Sequence, residues 1–194
     1  MSENSNNSSF VNMEAQIRES FGRVVYSHKA HEKCADDILF WYSIRRWIQT
    51  ALAAIASTGF ITILFGGVNN YYSAVWGGAA AVTLAFLNAY MQGRNAEQEA
   101  QKHTSVASKL WLVRESYLSL INDLQSRTVS LEEAKDQRSA LQEQLAAIYE
   151  DAPRTNSKFY RQAQVGLKKN EELTFSDEEI DAFLPAKLRK NPSL

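Results

Sequence analysis

The chain has 194 residues, room for one compact unit, and its 21 Lys and Arg against 22 Asp and Glu give a formal net charge of −1. Six cations meet six anions in residues 1–46 and fifteen meet sixteen in residues 94–194, so neither flank is a polycation and no nucleic-acid partner is expected. One cysteine, Cys34, excludes an internal disulfide, three scattered histidines make no zinc pattern, and the polar start MSENSNNSS lacks the cationic and apolar parts of a cleavable signal peptide.

Residues 1–9, rich in Ser and Asn, are expected to be disordered. Residues 10–46 form a candidate N-terminal cytoplasmic helix, because Ile17, Phe21, Val24, Val25, Ile38, Leu39 and Trp41 recur at spacings of three and four with no proline among them.

Residues 47–93 contain no Asp, Glu, Lys, Arg or His, and Arg45, Arg46 and Arg94 bound them. Each half, 47–65 and 71–92, is long enough as a helix to cross about 30 Å of hydrocarbon at roughly 1.5 Å per residue, with residues 66–70 (GGVNN) as the reversal. Soluble core helices keep a polar face, whereas here charge is absent all round two consecutive segments. Trp47, Tyr71, Tyr72, Trp76 and Tyr90 stand toward the span ends, the headgroup level that amphipathic rings prefer. Cations cluster outside the outer ends and are absent from 66–70, which predicts a multi-pass protein of the cell inner membrane with both termini cytoplasmic.

Small residues recur four apart within the spans: Ala53 and Ser57 on the first, Ala74 and Gly78, then Gly77, Ala81 and Ala85, on the second. Such spacing lets helix backbones approach, either within the hairpin or between copies in a homo-oligomer. Thr50, Ser57, Thr58 and Thr62 spread over one broad side of the first span and are candidate pore-lining residues, although the same hydroxyls can bond backbone carbonyls in a dry bilayer.

Residues 94–150 form a cytoplasmic helical, coiled-coil-like region. Val106, Leu110, Val113, Tyr117, Leu120 and Leu124 make a narrow apolar seam at heptad spacing, suited to another helix of the same chain or of a neighbour. The run breaks at 125–130, and Ser130 with Glu133 reads as a capping box that starts a second helix, carried by Leu131, Ala134, Leu141, Leu145 and Ile148 until Pro153. The pair forms either a helical hairpin or one kinked long helix. The tail, 151–194, holds a helix from Ser157 to about Lys169, then a second capping box at Ser176 and Glu179 before Pro185.

Chemistry-bearing constellations are scarce. His28 and His31 are three apart beside Glu32, but they lack a third strong ligand and sit among Lys29 and Lys33, so a polar helix face is the plainer reading and no metal is assigned. Cys34 reads as a small packing residue. The glycine pairs at 66–67 and 77–78 lack the Lys and Ser/Thr of a phosphate loop. No cofactor, catalytic residue or enzymatic activity is expected.

The segments GRVVYSHKAHEKCAD (22–36), SLEEAKDQRSALQEQL (130–145), YEDAPRTNSKFYRQAQ (149–164) and TFSDEEIDAFLP (174–185) around a basic-flanked hairpin resemble the SLATT family, the two-transmembrane effector domains associated with SMODS and SLOG domains. The similarity covers about residues 18–190. It implies a bacterial conflict-system effector encoded beside a nucleotide second-messenger synthase, a nucleotide-sensing protein or a reverse transcriptase, and a membrane pore that kills or arrests an infected cell. The family supplies no catalytic residues, and no fused sensor domain is expected in this chain. The expectation is therefore an all-α membrane protein in which a two-span helical hairpin forms the pore. The alternative is a membrane-anchored adaptor whose cytoplasmic helices recruit a soluble signalling partner.

Overall fold

The computed structural model describes residues 2–65, 71–93, 95–185 and 189–190. Among them are six helices and no strand: α1 (Ser2–Phe65), α2 (Tyr71–Met91), α3 (Ala96–Gln125), α4 (Leu131–Glu150), α5 (Ser157–Lys168) and α6 (Asp177–Phe183). The reversal expected at 66–70, and Arg94, lie outside the described residues. Two compact units arise, one from Met1–Lys33 with Val106–Leu194 and the other from Cys34–Ser105.

The first unit is built on the seam. All six seam residues are buried, and Leu110 and Tyr117 are completely inaccessible. Met13, Ile17 and Val24 of α1 cover them, together with Val129 and with Ala134 and Leu141 of α4. Since Ala134 and Leu141 join the same core as residues of α1 and α3, α4 folds back rather than prolonging α3. The reversal has a local cause. Arg127 takes a left-handed φ of 56°, the Thr128 N–H donates to the Asp123 carbonyl and the Arg127 N–H to the Leu124 carbonyl, which together satisfy the last carbonyls of α3. Ser130 and Glu133 then close the expected capping box at the start of α4.

One expectation is corrected here. Residues 2–9, read as disordered, are helical as the first turns of α1. Tertiary contacts offset the poor local propensity: the Arg127 guanidinium donates to the Asn7 side-chain oxygen at 2.6 Å and lies 4.2 Å from the centre of the Phe10 ring. These partners are some 120 residues away in sequence, so composition alone does not reveal them.

The tail docks within the same unit. Asn156 caps α5, and Phe159, Ala163 and Gly166 turn inward while Tyr160 stacks on Tyr26 at 5.3 Å. The second capping box, Ser176 with Glu179, opens α6, and the buried Asp181 carboxylate accepts the Lys190 backbone N–H at 3.0 Å.

In the second unit, α1 from Cys34 onward packs with α2 and the first turns of α3. Cys34 and His103 meet there, Sγ to Nε2, at 3.3 Å, both buried. Burial lowers the His103 pKa, with Glu99 opposing the shift, so the imidazole is neutral near pH 7.

Candidate functional site

The charge-free part of α1 and α2 carries the features with a bearing on function. Gly59 and Gly77 face each other so closely that a Cβ built on Gly59 would stand 2.6 Å from the Gly77 Cα, and one on Gly77 would stand 2.8 Å from the Gly59 Cα. Backbone touches backbone, and only glycine fits on either side. Gln49 Nε2 donates to the Asn88 side-chain oxygen at 2.8 Å. From 49 to 59 is ten residues forward along α1, and from 88 to 77 is eleven back along α2. The two contacts therefore fix an antiparallel register over about 15 Å.

This crossing selects among the predicted packing residues. Gly77 is buried at it, and Ala53 and Ala74 are half-buried. Ser57, Gly78, Ala81 and Ala85 are exposed, and a Cβ at Gly78 would meet nothing within 4 Å. Of the expected ladder Gly77, Ala81 and Ala85, only its first member enters the crossing; the inward stripe of α2 runs through Ser73, Gly77, Ala80, Leu84, Leu87 and Met91, spaced four, three, four, three and four, with Ala74 beside its start. Sequence reasoning missed Gly59, since a search for small residues four apart passes over it, although it is the sole glycine inside the first span. Missed as well was the Gln49–Asn88 pair, whose members look like mere dilution of an apolar run.

The four hydroxyl residues are placed alike. Thr50, Ser57, Thr58 and Thr62 each donate to the carbonyl four residues earlier, at 2.7–3.0 Å. A hydroxyl satisfied in this way tolerates either lipid or water beside it. Around them Trp47, Phe60, Tyr71, Tyr72, Trp76 and Phe86 are all more than 60% exposed, a surface that water would penalise. Among the described residues one helix, within Tyr71–Gln125, is long and apolar enough to cross a membrane, and only 11% of its apolar window is buried. The core helix of a soluble protein would be mostly buried.

A second cluster lies in the first unit, on the last turns of α1 before Lys33. Glu172 bridges Lys29 at 2.7 Å and Lys33 at 2.9 Å, and Lys29 also holds Glu32 at 2.8 Å. The two lysines, Lys29 foremost, hold the Glu172 carboxyl down at about 2. Burial opposes the charge on Lys29, but the Glu172 and Glu32 carboxylates outweigh it and raise its pKa. Gly166 makes room for this clasp: a Cβ there would come within 3.0 Å of the Glu172 carboxylate. His28 is buried, with Nε2 at 3.6 Å from Glu32, and desolvation pushes its pKa below the usual histidine value despite that carboxylate. His31 is also buried. His28 thus faces Glu32, its neighbour in the constellation considered from sequence, while Cys34, read there as a packing residue, faces His103.

The profile described as SMODS and SLOG-associating 2TM effector domain family 4 matches residues 13–179. The chain belongs to this family. The SLATT match runs from the first core residue of α1 into α6, so it takes in the packed core of the first unit as well as the apolar helices. No curated protein and no solved structure matches the chain. SLATT membership together with the apolar, exposed α2 marks a membrane protein, and the family suggests a membrane effector in conflict systems.

Proposed function

We propose that the chain is a pore-forming effector of a bacterial anti-phage system, which on activation depolarises the inner membrane and stops growth without chemical turnover. The observation that carries this reading is the antiparallel pair of charge-free helices, locked at Gly59–Gly77 and Gln49–Asn88, with an exposed aromatic and aliphatic exterior. On it, residues 47–65 and α2 form a two-span hairpin with both termini cytoplasmic. Two helices enclose no conduit, so the pore needs several copies. Gly59 and Gly77 serve the crossing inside one chain, while Gly78, Ala81 and Ala85 stay open for the neighbouring copy. Thr58 and Thr62 then supply an uncharged lining, and a leak without strong ion selectivity follows. The trigger comes from a partner, whether a nucleotide second-messenger synthase, a nucleotide-sensing protein or a reverse transcriptase.

The adaptor alternative depended on the α3 seam as a recruiting surface. That seam is filled by α1 and α4 of the same chain, which favours the pore.

Topology is tested by reporters active only in the periplasm: one within 66–70 should give signal and one after residue 194 none. Function is tested by expressing the protein with a potential-sensitive dye. Depolarisation should precede growth arrest and be lost in Gly78→Leu and in the Thr58→Leu, Thr62→Leu double variant. Gly78→Leu has free space within the chain, so its loss reports contact between copies rather than misfolding. Arrest with the potential intact would overturn the pore.

A further inference from the structure

Where α1 enters its charge-free stretch, Tyr42, Ser43, Arg46, Trp47 and Thr50 line a cleft of about 500 Å³ together with Glu97 from the first turn of α3. The volume falls in the usual range of roughly 300–1,000 Å³ for small-ligand sites. Arg46 is the last cation before the first span and Glu97 lies just after the second, so the cleft joins the two cytoplasmic borders of the hairpin.

The charges in it are of opposite sign. Neither the Arg46 guanidinium nor the Glu97 carboxylate enters an ion pair among the described residues. Arg46 lies 5.8 Å from the centre of the Tyr42 ring, which holds its side chain on the cleft wall. The Thr50 hydroxyl is committed to the Arg46 carbonyl, and Ser43 and Tyr42 supply the other hydroxyl groups of this wall. Trp47, 73% exposed, stands where an amphipathic ring sits at glycerol level.

A purely anionic ligand would meet the Glu97 carboxylate, and a purely cationic one would meet Arg46. A zwitterion satisfies both. We propose that this cleft binds the headgroup of an aminophospholipid: Arg46 and Ser43 take the phosphodiester, Glu97 takes the primary ammonium, and Trp47 packs against the glycerol and upper acyl chains. The proposal rests on the reading of residues 47–65 as a membrane span. Its consequence is a lipid wedged between the entry of the first span and the exit of the second, where any movement of one against the other must displace it.

The test uses full-length protein with Trp41, Trp76 and Trp111 changed to Phe, leaving Trp47 as the fluorophore, in nanodiscs of phosphatidylcholine. Acyl-brominated phosphatidylethanolamine or acyl-brominated phosphatidylglycerol is added at equal mole fraction. Phosphatidylethanolamine should quench Trp47 about three-fold more effectively. Glu97→Gln should remove that preference, and Arg46→Gln should weaken quenching by the phosphatidylethanolamine about two- to five-fold, the range of an exposed ion pair. Lys102→Gln should change neither. Equal quenching by both lipids, or a preference that survives Glu97→Gln, overturns the headgroup site. Absence of quenching by either lipid would instead sink the membrane span itself. Soluble O-phosphorylethanolamine should leave the preference intact, because the free headgroup lacks the chains that concentrate the lipid at the cleft. Loss of the preference in its presence would assign the cleft to a soluble phosphoester and overturn the lipid.

Discussion

Removing the Glu172 carboxylate, by Glu172→Gln, should loosen α5 from α1 without unfolding the rest of the first unit. The carboxyl sits at about 2 against an ordinary value of 4.5, chiefly because of Lys29 and then Lys33. At about 1.36 kcal/mol per pKa unit that depression corresponds to roughly 3 kcal/mol at most. A quarter of the side chain remains in contact with water, at 24% exposure, and screening brings the contribution to about 1–2 kcal/mol. Because the folded pKa is depressed, the contribution is complete above pH 4.5 and is lost as pH falls toward 2. Hydrogen exchange of the full chain in detergent micelles reads this directly: amides of 157–168 should exchange about 5- to 30-fold faster in Glu172→Gln at pH 7, each 1.4 kcal/mol being about ten-fold. The wild type, corrected for intrinsic rates, should approach the variant as pH falls below 4.5. In a cycle with the Lys29→Gln, Lys33→Gln double variant, most of the Glu172→Gln effect should vanish. A change under two-fold in the variant at pH 7, or an unaltered Glu172→Gln effect in the absence of both lysines, would refute the clasp.

Gly59→Ala must push the two backbones apart, and overpacking of this kind costs about 1–3 kcal/mol, whereas Gly22→Ala meets nothing within 4 Å and should gain about 0.5–1 kcal/mol of helix propensity; melting temperatures in detergent should shift in opposite directions, and the same direction for both would count against the crossing. Leu110→Ala empties a wholly buried seam position and should cost about 2–5 kcal/mol by chemical denaturation, with a near-neutral result placing the seam outside the core. His28 and His103 both have folded pKa values below the ordinary 6.5, so the stability they contribute is present above pH 6.5 and falls as pH drops below it; the slope between pH 6.5 and 5 should flatten in the His28→Gln, His103→Gln double variant, and an unchanged slope would mean that neither is buried neutral.

Much of this protein is written locally. The absence of charge over 47–93 marks the apolar helices whatever their partners are, because lipid acts on each residue separately. The seam from Val106 to Leu124 and the two capping boxes, at Ser130 and Ser176, are likewise legible, since heptad spacing and the reach of a side chain to its own backbone need only the next few residues. Beyond that range the sequence is silent. Small-residue spacing named Gly78, Ala81 and Ala85 as readily as Gly77, yet the crossing takes Gly77 and pairs it with Gly59, a choice that depends on how far one helix slides past another. The helical start of α1 rests on Arg127, the Lys29–Lys33 clasp on Glu172, and the burial of Cys34 on His103, each partner at least 69 residues away. Periodicity assigns a face to each helix; only packing in three dimensions decides which residue on one face meets which residue on another.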